Sequence, residues 1–220
     1  MINENLATIK KSIPSHVTLV AVSKTKPNEL IKEAYSSGHR IFGENKAQEL
    51  KNKAEVLPKD IEWHFIGHLQ RNKVKYIAPY ASLIHSIDSI KLLTEVNKEA
   101  HKNNRIIDCL LQFHIAMEET KFGLSLEEVQ QLLTSNEFLC LKNIKIVGVM
   151  GMASFINNEE QVRNEFIRLK HIFTQLNNGF FKQTETFKTI SMGMSGDYKI
   201  AIEEGSTMIR VGSSIFGIRN

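Results

Sequence analysis

Two patterns of apolar and polar residues alternate along the chain. Short runs rich in β-branched and aromatic residues, typical of strands, alternate with longer stretches in which apolar residues recur every three or four positions, as in amphipathic helices. The predicted strands are 17–23, 40–44, 62–67, 82–87, 106–115, 144–152, 187–193 and 207–213. The predicted helices between them are 27–37, 45–56, 70–79, 89–103, 126–135, 159–176 and 197–204. Ser125 and Glu128 have the spacing of a capping box at the start of the fifth helix.

Eight strands with a helix in each gap predict parallel strands joined by helical crossovers. Units of about 25 residues fit a closed (β/α)8 TIM barrel near its lower size limit of roughly 200 residues. We assign residues 1–220 to one such domain. The helix-like stretch 3–12 is expected to cover the position after the last strand, as an extra N-terminal helix. An open doubly wound sheet is the alternative, but neither a G-x-G-x-x-G motif nor a P-loop follows the first strand.

Composition places the chain among ordinary globular proteins, with 42% hydrophobic residues, 24% charged residues and a net charge of +4. The longest apolar runs fall well short of the roughly 20 residues that span a bilayer, and the first residues lack the apolar core of a secretory signal. We therefore expect a cytoplasmic protein with no membrane partner. The basic residues are spread along the chain, which argues against nucleic-acid binding. Cys109 and Cys140 lie in apolar contexts and are expected to be buried, reduced thiols.

A lysine stands at the end of the first predicted strand, in the segment "VTLVAVSKTKP". In barrels of this type, functional sites gather at the C-terminal ends of the strands. If Lys24 points into the barrel, the two-residue period of a strand places Val22, Val20 and Thr18 on the same inward face. A lysine at a strand end is also commonly just the first solvated residue, so Lys24 alone does not decide between the two interpretations.

The ends of the last two strands carry small and hydroxyl-bearing residues. These residues are Ser191, Gly193, Ser195 and Gly196 near strand seven, and Gly212, Ser213 and Ser214 near strand eight. Glycines let backbone N–H groups approach an anion closely, and barrels often bind phosphate with these two loops. Arg210 shares a strand face with Gly212 and would point at the same ligand. The alternative is an ordinary pair of glycine turns.

A lysine amine on one side and a phosphate site on the other predict a ligand that has both a carbonyl group and a phosphate. Two ligands satisfy this description. One is a sugar phosphate, as in an aldolase that forms a Schiff base, and the other is pyridoxal 5′-phosphate.

Four segments, taken in order, resemble the YggS/PROSC family of pyridoxal phosphate homeostasis proteins. They are "AVSKTKP", "FGENKAQE", "WHFIGHLQRNK" and "SMGMSGDYKIAIEEGSTMIRVGSSIFG", and the resemblance extends over residues 17–217. It implies a barrel like the N-terminal domain of alanine racemase that binds pyridoxal 5′-phosphate (PLP). It also implies a role in storing, buffering and handing over this cofactor to apo-enzymes, rather than an enzymatic activity.

The resemblance also implies a role for particular residues. Lys24 would carry the cofactor as an aldimine, Asn45 would lie beside the ring, and His64 would lie near the ring or support it. Arg210 would face the pyridine nitrogen. The residues expected around the phosphate are Ser191, Met194, Ser195, Gly212 and Ser213.

The chain departs from the family pattern at the fifth strand. The family has a segment like "VNIAxExxKxG", whereas this chain has "FHIAMEETKFG", so that Phe113 and His114 replace valine and asparagine. We interpret His114 as a structural, hydrogen-bonded residue rather than a catalytic base. His64 and His68 lack a third ligand in the sequence, so no metal site is expected.

Three functions are open: a PLP carrier, a racemase-like enzyme and a Schiff-base aldolase. Racemisation requires a poised group on each face of the substrate, and only Lys24 is identified as one. The resemblance and the lack of a second catalytic domain favour a carrier, which we expect to be monomeric. Lys26 and Lys121 are expected on the same rim as Lys24. They are either solvated side chains or amines that displace the cofactor from Lys24 during handover.

Overall fold

Eight parallel strands form a closed barrel in chain order in the structure, a computed structural model that describes residues 2–117 and 123–217. The strands are β1 (Thr18–Val22), β2 (Ile41–Glu44), β3 (Glu62–Phe65), β4 (Ala81–Ile87), β5 (Ile107–Phe113), β6 (Ile144–Gly151), β7 (Thr189–Met194) and β8 (Met208–Val211). Each lies within a predicted strand or differs from it by about one residue. β1 pairs with β8, which closes the sheet and excludes the open-sheet alternative.

Helices surround this sheet. They are α1 (Ile2–Ser12), α2 (Asn28–Ser36), α3 (Ala47–Val56), α4 (Val74–Ile77), α5 (Ile90–Lys102), α6 (Leu126–Thr134), α7 (Asn136–Leu139), α8 (Glu159–Asn178), α9 (Tyr198–Glu203) and α10 (Ser213–Phe216). The helix predicted over 70–79 is instead a 3-10 turn, Arg71–Lys73, followed by the short α4. Pro79 lacks the N–H that would extend α4. Within the described ranges, no helix is both long enough and apolar enough to cross a membrane.

The capping box at the start of α6 is confirmed. The Ser125 hydroxyl accepts the Glu128 N–H at 3.2 Å, and the Glu128 carboxylate accepts the Ser125 N–H at 2.7 Å. The pattern did not predict α7, which begins because the hydroxyl of Ser135 accepts the Phe138 N–H at 3.2 Å. Cys140 ends this outward-facing helix and is exposed, so the expectation that it is buried is wrong, whereas Cys109 is buried as predicted.

The barrel interior is a packed apolar layer. Its buried members are Val20, Leu83, Leu110, Val147, Met150 and Met208. Val20 therefore faces inward, as the period of β1 requires, and Val22 and Thr18 on the same face line cavities at opposite ends of the barrel. The inward face of β1 thus leads to Lys24, whose side chain lines the same cavity as Val22.

Helix α1 covers the position after β8, as expected. Its buried face consists of Ile2, Leu6 and Ile9. It packs against α2 and α10, and the side-chain amide of Asn5 donates to the carbonyl oxygen of Ile215 in α10 at 2.9 Å. The short α10, which the pattern did not predict, is held in this way beside the C-terminal end of β8.

Candidate functional site

A cavity of about 470 Å³ opens at the C-terminal end of the barrel. We call it the C-terminal cavity, and its lining residues are Val22, Lys24, Lys26, Ile66, Met152, Phe155, Met194, Ser195, Gly196, Arg210, Gly212, Ser213 and Gly217. Its volume lies within the roughly 300–1,000 Å³ of small-molecule sites. It is the end of the barrel at which the sequence predicts a site.

The C-terminal cavity brings together most of the residues that the sequence singles out. Those in its wall are Lys24, Met194, Ser195, Arg210, Gly212 and Ser213. The other three predicted residues lie elsewhere. Ser191 is fully buried beneath the cavity, and His64 lines a different cavity of about 310 Å³ at the N-terminal end of the barrel. Asn45 lines a neighbouring surface cleft together with His68.

The turn that carries Lys24 has an unusual backbone. Thr25 has a φ of +64°, a left-handed conformation that is rare for a β-branched residue. The Thr25 N–H donates to a carboxylate oxygen of Glu49 at 2.6 Å, and the Lys26 N–H donates to the carbonyl oxygen of Ser23 at 3.0 Å. These two bonds hold the strained turn in the conformation that places Lys24 at the cavity.

A buried ion cluster lies behind this turn. The ammonium group of Lys53 donates to Glu44 at 2.8 Å, to Glu49 at 2.7 Å and to the carbonyl oxygen of Ser23 at 2.9 Å. The Ser23 hydroxyl donates to the same oxygen of Glu44 at 2.5 Å. Burial raises the pKa of Glu44 to about 6, and Lys53 offsets part of this effect. Lys53 thus connects Glu49, whose carboxylate fixes Thr25, with Glu44 at the end of β2.

The loops after β7 and β8 meet at the far side of the cavity. The Gly212 N–H donates to the Ser195 hydroxyl at 3.3 Å. Gly193 has a φ of +96°, and a Cβ at this position would lie 2.7 Å from Ala201, so glycine allows the end of β7 to pack closely on α9. The two loops that the sequence predicts as one phosphate site are therefore adjacent.

Arg210 enters the cavity from below and belongs to a hydrogen-bonded chain inside the barrel. Its guanidinium donates to the Ser191 hydroxyl at 2.5 Å and to the carbonyl oxygen of Gly151 at 3.1 Å. Ser191 is also 3.0 Å from Nδ1 of His85, and Nε2 of His85 is 3.1 Å from Nδ1 of His64. All four side chains of this chain are less than 5% exposed.

Burial keeps both histidines neutral. It lowers the pKa of His64 to about 3, and it lowers that of His85 well below the ordinary 6.5, with further lowering by the neighbouring His64 ring and by the charge of Arg210. Burial also lowers the pKa of Arg210 to about 10, so its guanidinium stays cationic at neutral pH.

The remaining residues noted in the sequence have more local roles. Lys26 donates to the carbonyl oxygens of Phe216 and Gly217, each at 3.2 Å, and so ties the end of α10 to the Lys24 turn. The half-buried His114 donates its backbone N–H to the carbonyl oxygen of Leu124 at 3.3 Å. Lys121 lies outside the described residues.

Sequence reasoning did not identify His85, Glu44 or Lys53. His85 had a signal, because it lies two residues after the inward-facing Leu83 on the same strand and must share its face. The Glu44–Lys53 pair had no signal in the sequence, because the contact joins the end of β2 to the following helix α3 and no local pattern specifies it.

Comparison with known proteins agrees with this geometry. The family model of the alanine racemase N-terminal domain matches residues 1–220. A pyridoxal phosphate homeostasis protein of Aquifex aeolicus is 41% identical over 202 residues, which are 91% of this chain and 86% of that protein. The chain belongs to the pyridoxal phosphate homeostasis protein family.

Solved structures of this family have the same barrel. PipY of Synechococcus elongatus with PLP bound is 32% identical, with a TM-score of 0.84, covering 99% of this chain and 100% of PipY. The form of PipY without PLP is 33% identical, with a TM-score of 0.89 and the same coverage. The fold and family implied by the four sequence segments are therefore confirmed.

Acid should destabilise this family member because three buried histidines must stay neutral in the folded state. Burial lowers the pKa of His39 to about 4, alongside His64 and His85. The unfolded chain binds protons at these positions near pH 6.5, so their contribution to stability is full above that pH and is lost as the pH falls. Between about pH 6 and 4.5, Glu44 binds a proton in the folded state before it does so in the unfolded chain, because its folded-state pKa is raised. This proton offsets the effect of about one histidine.

We expect the free energy of unfolding to fall by about 3 kcal/mol per pH unit near pH 5.5, which corresponds to two net protons. Urea titrations at pH 7.5, 6.5 and 5.5 measure this slope. His39→Gln should reduce this slope by the equivalent of about one proton. A stability that does not change between pH 7.5 and 5.5 would contradict neutral burial of these rings.

The buried cluster behind Lys24 predicts a second effect. Lys53→Met leaves Glu44 buried without its cation and should lower the free energy of unfolding by about 3 kcal/mol at pH 7.5. Lys51→Met is the matched control, because Lys51 lies on the same helix and pairs with Glu55 at the surface. Urea denaturation measures both variants, and equal stabilities would show that Lys53 does not anchor the turn.

Proposed function

We propose that this protein binds pyridoxal 5′-phosphate in the C-terminal cavity, carries it as an imine on Lys24 and hands it over to apo-enzymes. The observation that carries the proposal is the convergence of Lys24, Ser195, Ser213 and Arg210 on one cavity. The PLP-bound structure of the PipY relative supports the choice of ligand.

The chemistry of the cavity wall fits this cofactor. The Lys24 amine is the group that forms an imine with an aldehyde. The hydroxyl groups of Ser195 and Ser213 supply hydrogen-bond donors of the kind that hold a phosphate. Arg210 can only donate hydrogen bonds, so the group that meets it must be an acceptor such as an unprotonated pyridine nitrogen.

The same wall disfavours a racemase-like enzyme. PLP supplies an electron sink when its ring nitrogen is protonated, and a cationic Arg210 opposes that protonation. Of the residues that line the cavity in the described ranges, only Lys24 and Lys26 offer an amine, and there is neither a histidine nor a tyrosine. Lys26 is hydrogen-bonded to two carbonyl oxygens, so the second poised group that racemisation requires is not evident.

Handover requires access to the imine from outside. Lys24 is only half-buried, and the ring of Phe155, which is 93% exposed, stands at the rim of the cavity. An amine from solvent or from an acceptor can therefore reach the imine while the phosphate contacts persist. Activation of an apo-enzyme by the loaded protein, compared with an equal concentration of free PLP, tests this step.

Lys24→Ala should abolish the visible absorption band of the imine and its fixation by borohydride, because Lys26, the other amine that lines the cavity in the described ranges, is bonded to two carbonyl oxygens. The loss of stability should be small, within about 1 kcal/mol, since Lys24 is half-buried at the end of a strand. Lys32→Ala, on the exposed face of α2, is the control for non-specific imines. An unchanged spectrum and an unchanged borohydride mass increment in Lys24→Ala would contradict the assignment.

Ser213→Ala should weaken the binding of PLP by up to about tenfold through the loss of one hydrogen bond to an anion. Pyridoxal, which lacks the phosphate, should bind both proteins alike. Ser214→Ala is the matched control, because Ser214 is exposed and does not line the cavity. Isothermal titration with both ligands measures this difference, and an equal loss for PLP and pyridoxal would place the phosphate elsewhere.

A further inference from the structure

The chain of buried groups under Arg210 connects the two ends of the barrel. Arg210 lines the C-terminal cavity, and His64, at the other end of the chain, lines the cavity at the N-terminal end. Ser191 and His85 are both fully buried between them. Neither histidine takes part in the proposed chemistry, and each has an environment that holds it neutral.

We propose that His85, with Ser191 and His64, forms a positioning chain that fixes the orientation in which Arg210 presents its guanidinium to the cofactor. This inference rests on the proposed function for the identity of the ligand. It assigns to Ser191 a place beneath the site, where the residue holds Arg210 rather than the phosphate.

The direction of each hydrogen bond follows from the groups involved. The guanidinium can only donate, so the Ser191 oxygen accepts from it. The other recorded contact of the Ser191 hydroxyl within the described residues is Nδ1 of His85. If that nitrogen carried a hydrogen, the buried Ser191 hydroxyl hydrogen would lack an acceptor, which is unfavourable. His85 Nδ1 is therefore the acceptor.

The rest of the chain is then determined. A neutral imidazole carries one hydrogen, so His85 carries it on Nε2 and donates to Nδ1 of His64. His64 in turn carries its hydrogen on Nε2. Two of the five N–H groups of Arg210 are occupied, one by Ser191 and one by the carbonyl oxygen of Gly151. These two bonds therefore fix the plane of the guanidinium.

The first test uses the cofactor-free protein, so it does not depend on the proposed function. Nitrogen-15 NMR of histidine-labelled protein should show His85 and His64 with protonated Nε2 and unprotonated Nδ1. Neither should titrate between pH 8 and 5.5, because burial lowers the pKa of both rings and the neighbouring His64 and Arg210 lower that of His85 further, while Asp197 is the carboxylate that acts on Arg210. A protonated Nδ1 on His85, or a titration near pH 6.5, would overturn the chain.

The second test measures positioning. Ser191→Ala should weaken PLP binding about tenfold and shift the absorption maximum of the bound cofactor, because Arg210 loses an acceptor that fixes it. Ser191→Thr keeps the hydroxyl and should restore both properties. Ser206→Ala is the matched control, since Ser206 is an equally buried serine that donates to carbonyl oxygens of β7 and β8 and does not contact Arg210.

The outcomes separate the two proposals. If Ser191→Ala and Ser206→Ala bind PLP with the affinity and spectrum of the natural sequence, the positioning chain is wrong and the proposed function stands. If the natural sequence itself shows no PLP band, the proposed function is wrong. The tautomer of His85 then still decides whether the hydrogen-bonded positioning chain exists.

Discussion

Arg210 places a positive charge inside the barrel, and the arrangement of the interior follows from it. A buried guanidinium must meet acceptors, which Ser191 and the Gly151 carbonyl oxygen provide. The next groups along must be neutral, because a second charge nearby would be unfavourable, and His85 and His64 satisfy this condition. The polar chain therefore replaces part of an otherwise apolar interior, and it ends at the floor of the C-terminal cavity.

A similar use of buried charge holds the rim of that cavity. Glu49 accepts the strained Thr25 N–H on one side. Glu165 on α8 accepts the backbone N–H groups of Met117 and Ser154, at 3.1 and 2.6 Å, so one carboxylate connects the loops after β5 and β6. The loops of the site are thus fixed by carboxylates on the surrounding helices, and hydrogen bonds to charged groups are stronger than those between neutral ones.

The barrel could be predicted from the sequence because its strands and helices have strong local patterns. Regular alternation located all eight strands, and local capping located the start of α6 at Ser125. Contacts between distant segments were not predictable in this way. The link from Glu44 to Lys53 and the chain from Arg210 to His64 depend on the register of strands and on the distances between layers, which periodicity does not specify. The positions of Lys24 and Ser213 at strand ends were enough to predict that they share one cavity. Periodicity could not show that Ser191 lies beneath that cavity rather than in its wall.

Under the proposed function, Arg210 inside the barrel and the Glu49 carboxylate behind the Lys24 turn would act on opposite ends of the ligand. In the proposed complex, Arg210 would hold the ring end from inside the barrel, where it is buried and bonded to Ser191 and to the Gly151 carbonyl oxygen. The Lys24 end is on a turn at the rim, half-buried and next to the exposed Phe155. A site that is rigid toward the ring and phosphate and accessible at the imine favours exchange of the covalent bond while the non-covalent contacts persist. The proposed carrier role requires this asymmetry. An enzyme, in contrast, gains from excluding water at the carbon that reacts.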